Sequence, residues 1–335
     1  MTPPVDPIPA AGGRARSERP AVAVLVPFAG DAGAARNLVD ALRALELRPG
    51  DELTVVDNSI EATAMGALSD LGSPARAVRA SARRSSYYAR NVGAREAEAE
   101  WVLFLDADCL PTPTLLDDYF AAPVPERTGA LAGAVEPVIT GVGPVARHAR
   151  SRPYLDQAAF LAEPRGGFAA TANLLVRRSA WAALGGFCEV RSGGDVDFSW
   201  RLVDAGWSLE LRAGAVVRHR HREDLWALVR QRARYGAGER WLARRHPRRR
   251  SLLDILPAVV RRATAAVVLA ARGSREEALF SALDALAFGA EALGWAFGNA
   301  ARRWPTGEGA VSESHASRRR CAWPRSLASP RSPRR

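Results

Sequence analysis

A mixed, mainly parallel α/β sheet with helices on both faces is what this chain of 335 residues predicts. The first reason is that short apolar runs alternate with stretches of helix-compatible spacing over residues 21 to 138, the pattern of successive βαβ units. The second is that carboxylates and amides stand where those runs stop, and open α/β sheets bind ligands beyond the carboxyl ends of their strands. The third is size, since a chain that is 47% hydrophobic and 25% charged can bury one large core and still carry an appendage.

In chain order the strands are expected at VAVLVPF (22–28), ELTVVDNS (52–59), the more polar ARAVRA (75–80), WVLFLDAD (101–108) and GALAGAVEPV (129–138). Helices are expected between them, near 34–46, 61–71, 86–99 and 112–121. Asp57 and Asn58 close one strand, and Asp106 and Asp108 close another. In an extended chain residues i and i+2 face the same side, so WVLFLDADC should present Asp106 and Asp108 together. Two like charges so close repel each other, and a divalent cation would relieve them. A polar turn in which Asp108 bonds its own backbone or caps the next helix is the plainer alternative.

A second carboxylate group lies in GGFCEVRSGGDVDFSWRLVDAGW (185–207), where Asp195 and Asp197 follow a glycine-rich approach and open a helical pattern. Asp195 is either an ordinary N-cap or a general base held ionised and aimed into a cleft.

The net charge of +11 is confined to two places. Residues 218–250 hold twelve Arg against Glu223, Asp224 and Glu239, residues 318–335 hold seven Arg and no acid, and the remainder is net negative. The chain has no lysine, so a compositional bias towards Arg accounts for part of this. No nucleic-acid-binding module accompanies the basic stretches, which leaves an anionic membrane surface as the partner they suit. Cys109, Cys188 and Cys321 are too few and too widely spaced for a disulfide framework or a structural zinc site. The first twenty residues lack the apolar core of a signal peptide and read as a disordered leader, so a cytoplasmic protein is expected.

The C-terminal third holds LLDILPAVVRRATAAVVLAA (252–271), interrupted by Pro257, Arg261 and Arg262, and ALFSALDALAFGAEALGWAF (278–297), with Asp284 and Glu291 on one helical face. Charges at that density argue against membrane spans. A helical pair packed on the main domain, or lying in a membrane interface with Trp295 at headgroup level, is expected, and a disordered basic tail after it. The expected organisation is a leader (1–20), a catalytic domain (21–245), apolar helices (246–304) and the tail (305–335).

Taken in order, VAVLVPF, VVDNS, YYARNVGAREAEAEWVLFLDADC, FAATANLLVRRSAWAALGGF, GGDVDFSWRLVDAGW and AVVRHRH resemble the family 2 glycosyltransferases, nucleotide-sugar enzymes of the GT-A fold. The resemblance spans residues 21 to 240. It implies a nucleoside pocket at Pro27 and Asp57 with Arg90 and Asn91 nearby, and a DxD motif at Asp106 and Asp108 that holds Mn²⁺ or Mg²⁺ and, through it, the donor diphosphate. It implies His219 as a further metal or diphosphate contact, with His221 its rival. Asp195 is implied as the catalytic base, although Gly194 stands where the family usually has Glu. Asp197 and Arg201 are implied in support, and QRARY (231–235) resembles the QxxRW motif of processive synthases. Gln231, Arg234 and Tyr235, with Asn173 and Asp197, are therefore expected on the acceptor side of a non-processive enzyme. The implied reaction is an inverting transfer from a nucleoside-diphosphate sugar to an acceptor hydroxyl. A sugar-phosphate nucleotidyltransferase is the rival enzyme, though PFAGDAGAAR lacks its GxGxR-type loop. A non-catalytic scaffold is the third reading.

Overall fold

The structure, a computed structural model, describes residues 19–67, 75–152, 155–164, 166–221, 223–246 and 251–304. The tail expected from 305, Cys321, and all of the leader but its last two residues lie outside them. Those two residues correct the expectation of disorder, because the buried Arg19 guanidinium is held by Asp51 at 2.6 Å and Asp117 at 2.7 Å.

The first half of the chain follows the predicted alternation. β1 (Val22–Phe28), α1 (Ala32–Leu42), β2 (Glu52–Asp57), α2 (Thr63–Ala67), β3 (Ala75–Arg79), α3 (Ser86–Glu96) and β4 (Trp101–Leu105) form a parallel sheet in the order β3-β2-β1-β4. Every residue of β1 is buried because it is an inner strand covered on both faces. Val22, Val24, Val26 and Phe28 enter the core on one face, while Ala23 and Leu25 enter the core on the other.

The second half is less regular. β5 (Cys109–Pro111), α4 (Leu115–Tyr119), β6 (Thr128–Val138), α5 (Pro144–Arg150), α6 (Gln157–Leu161), β7 (Asn173–Arg177), α7 (Arg178–Ala183), α8 (Gly194–Asp204) and β8 (Ser208–Arg220) extend the sheet to β3-β2-β1-β4-β7-β6-β8-β5. β7 lies antiparallel between β4 and β6, and β5 runs antiparallel to β8.

Three helices finish the described chain, α9 (Leu225–Ala243), α10 (Leu252–Ala271) and α11 (Arg275–Gly294). Pro257 does not break α10, which is one continuous helix. α11 packs on α9 at very short range, since a Cβ on Gly236 would meet the Glu291 carbonyl oxygen at 1.8 Å and one on Gly294 would meet that of Ala233 at 2.1 Å. Asp284 ties α11 to α5 through His148 Nε2 at 2.7 Å, and to Arg152 just beyond it at 2.8 Å. α10 lies outermost, with Ile255 its one buried residue and Leu253, Leu256, Val260, Val267 and Val268 exposed. No described helix is long and apolar enough to cross a membrane.

Candidate active site

β4 stops at Leu105, three residues short of the expected end. Asp106 and Asp108 therefore stand in a turn, closed by the Cys109 amide donating to the Asp106 carbonyl over 3.0 Å, and not on one face of an extended strand. The turn still presents both carboxylates to one cleft of about 450 Å³. Arg90, reaching from α3, pairs with Asp106. Burial raises the Asp106 pKa above the usual carboxylate range, Arg90 opposes this, and Asp108 adds to it.

The chain then enters β5, whose antiparallel register sets Cys109 opposite His219 on β8. That pairing brings His219 Nε2 to 3.1 Å from Asp108 Oδ1. Ligand atoms of Asp108, Cys109 and His219 all lie within 4.8 Å of one another. The Cys109 thiol donates to the Ala172 carbonyl at 3.4 Å. His221 lies just past the end of β8, with its amide on the Val138 carbonyl.

Asp195 sits in the first turn of α8, but the N-cap is Gly193, at φ +78°. The Asp195 carboxylate accepts the Tyr87 hydroxyl at 2.8 Å, the Val196 amide at 3.0 Å and the Thr171 amide at 3.4 Å. Its side chain lines the same cleft as Pro27, Arg90, Asp106 and Asp108. Arg234 and Tyr235 reach the cleft from α9, and Arg191 and Ser192 from the loop before α8. Burial, then the charges of Arg302, Arg234 and Arg84, push the Arg191 pKa down, which marks a cationic wall suited to an anion. Asn299 fixes Ser192 from both sides, accepting its amide at 3.1 Å and donating to its carbonyl at 2.8 Å.

Several expected site residues do not line this cleft. Asp57 is fully buried and spends its carboxylate on Ser59 and the Ala64 amide, with Arg79 at 3.7 Å. Asn91 clamps the Phe187 backbone, donating to its carbonyl at 2.8 Å and accepting its amide at 2.9 Å. Asn173 is also fully buried, bonded to Tyr119 and to the carbonyls of Ala134 and Ala215, so it joins strands and is not an acceptor contact. Asp197 faces inward to Arg201 at 2.8 Å, His246 at 2.9 Å and Arg245 at 3.3 Å. Burial alone would raise its pKa, but the His246 hydrogen bond and the two guanidinium groups hold it far below the usual range. Gln231 donates to the Tyr235 hydroxyl at 2.8 Å, and Tyr235 lines the cleft.

Tyr87, Thr171, Arg191 and Ser192 were not foreseen. For Tyr87 a signal existed, since Tyr87 and Arg90 are three apart on one helical face. Thr171, Arg191 and Ser192 lie in loops whose course no periodicity reveals.

Residues 101–290 match the model described as glycosyl transferase family group 2. Among curated proteins, the chain is 30% identical over 231 residues to the pre-mycofactocin glycosyltransferase of Mycobacterium tuberculosis, covering 68% of this chain and 48% of that protein. It is 28% identical over 158 residues to glycosyltransferase AglE of Haloferax volcanii, covering 47% and 51%. The chain thus spans about half the length of the curated relatives it matches. Among solved structures, the mannosyltransferase PcManGT of Pyrobaculum calidifontis, in complex with GDP-Man and Mn²⁺, superposes with a TM-score of 0.53 at 21% identity, over 69% of this chain and 66% of that one. That likeness establishes the shared GT-A fold.

Proposed function

This chain belongs to glycosyl transferase family group 2, and on that premise we propose that it moves a sugar from a nucleoside-diphosphate donor to an acceptor hydroxyl by a single inverting displacement. The observation that carries the reading is one cleft joining Asp106 and Asp108, at the end of a parallel strand, to Asp195 at the start of α8. Asp195 takes the acceptor proton as that oxygen attacks the anomeric carbon, so an α-linked donor gives a β-linked product. Arg90, Arg191 and Arg234 supply positive charge for the diphosphate. Pro27 and Phe28, on the cleft wall, lie beside the nucleoside.

The donor set fits a divalent cation. Asp106 and Asp108 offer hard oxygens from one turn and His219 an imidazole nitrogen beside Asp108, a set suited to Mn²⁺ or Mg²⁺. When bound, the cation would neutralise charge on the departing nucleoside diphosphate.

The catalytic unit is taken as residues 21–245, with the helices of 246–304 as an accessory layer. The exposed apolar face of α10, with Arg261, Arg272 and Arg275 near it, supports peripheral attachment to an anionic membrane from the cytoplasmic side. Such a location suits the building of a surface glycan, a glycolipid or a secondary metabolite. A thermal-shift screen of nucleotide sugars with and without Mn²⁺ tests the central reading. One donor should raise Tm only with the metal, and no donor effect under either condition overturns it.

A further inference from the structure

Beside Asp195 the cleft adjoins a second cavity of about 340 Å³, and Tyr87, Leu155, Ser192, Asp195 and Tyr235 line both. We propose that this second cavity holds the acceptor and selects a compact hydroxyl compound with an apolar ring body, in preference to a saccharide chain. The proposal rests on the reading of Asp195 as the base.

The walls argue for that class. Phe160 and Phe168 stack with ring centroids 4.7 Å apart and planes 19° apart, and Val196 and Leu242 continue the apolar surface. A saccharide carries a hydroxyl on nearly every ring carbon, and each one taken out of water without a partner costs free energy. These four side chains offer no such partner, whereas an apolar ring against them leaves water at a gain.

The far end sets length and polarity. Glu239 on α9 and Glu291 on α11 line it, where the contact through Gly236 and Gly294 closes α9 on α11. A cavity bounded there accommodates a small molecule, and its volume lies within the usual range for such sites. Arg232 faces Glu291 at 3.7 Å, and Glu239 lines the same end. A hydrogen-bond-donating group on the acceptor's distal end is suited to these carboxylates. Asp195 at the near end receives the reacting hydroxyl, so the apolar wall orients the ring between the two polar ends.

The test uses the full chain, 4-nitrophenol as the apolar-ring probe and maltotriose as the saccharide probe. Binding of each is followed by saturation-transfer NMR in the presence of Mn²⁺ and nucleoside diphosphate, and nucleotide binding is measured separately. 4-Nitrophenol should bind and maltotriose should not. Phe168→Ala should weaken the probe about tenfold with nucleotide binding unchanged. Because Phe168 also shapes its own loop, Val196→Phe is the second variant; it fills the cavity from α8 and should abolish probe binding alone. Maltotriose binding in preference to 4-nitrophenol, or probe binding that both variants leave unchanged, overturns the acceptor class while the parent reading stands. Loss of nucleotide binding in the unmodified chain overturns the parent reading, and this one with it.

Discussion

The Tyr87 hydroxyl donates to Asp195 Oδ1 over 2.8 Å, and Gly194 is what leaves room for its ring. A Cβ on Gly194 would come within 2.9 Å of that ring and 3.0 Å of the Cys188 carbonyl oxygen. The Glu that the family usually carries before its base would crowd that ring, and here a tyrosine from α3 holds the carboxylate. Burial, then the Asp195 charge, raises the Tyr87 pKa well above its ordinary value, so the phenol stays a proton donor to the carboxylate. Tyr87→Phe should lower kcat about tenfold or more while donor affinity holds. Gly194→Glu should impair turnover as well. A gain of activity in Gly194→Glu would show that the pocket can reopen and that Tyr87 is dispensable.

The two carboxylate groups of the cleft are assigned to different substrates, so their variants should separate. Asp108→Asn should abolish metal-dependent binding of nucleoside diphosphate, measured by calorimetry with and without chelator. Asp195→Asn should bind donor normally and lose turnover by roughly a hundredfold or more. Retained activity in Asp195→Asn would move the base elsewhere in the cleft.

How far the sequence reached is clearest at two places. β1 was legible to the residue because an inner parallel strand is apolar on both faces, whereas β7 was missed because NLLVR stands among helix-compatible residues and nothing local announces an antiparallel insertion. Asp195 and Asp197 stand two residues apart, which along a helix amounts to about 200° of rotation, so one meets the cleft and the other the core. Asp106 and Asp108 do face one cleft together, but a turn and not a strand face brings them there.

His219 closes the metal site in the proposed reading, and imidazole favours Mn²⁺ over Mg²⁺ more than carboxylates do. His219→Ala should weaken donor binding and narrow the difference between the two metals, whereas His221→Ala should change little. The ratio of donor affinities in Mn²⁺ and Mg²⁺ checks this. An effect at His221 alone would place the ligand two residues further along the chain.

Asp284 should make the attachment of α11 sensitive to acid. Burial pushes its carboxyl pKa up, but the hydrogen bonds from His148 and Arg152 outweigh this and bring it down to about 2. A carboxyl depressed on folding stabilises the fold above its unfolded pKa, and that contribution fades as pH falls through the folded value. Asp284→Asn should therefore cost on the order of 2 kcal/mol at neutral pH. The difference from the parent should shrink between about pH 4 and pH 2. Denaturant melts across that range test it, and a difference independent of pH would mean that packing and not charge holds the helix.

The outer helix carries the last prediction. α10 turns Leu253, Val260 and Val267 outward at 65% exposure or more, each seven residues after the one before and so along one stripe of the helix. Arg261 stands beside that stripe, and Arg272 and Arg275 close its far end. An apolar stripe with basic neighbours suits a bilayer that carries negative headgroups, where the side chains enter the acyl boundary and the guanidinium groups stay with the phosphates. The protein should sediment with phosphatidylcholine vesicles containing phosphatidylglycerol at low salt, less with phosphatidylcholine alone, and should be released as salt screens the attraction. Val260→Asp with Val267→Asp should abolish sedimentation and leave nucleotide binding intact, because neither residue lines the cleft. If light scattering instead finds a dimer that the same pair of substitutions dissociates, a second copy of the chain covers the stripe and the membrane assignment falls.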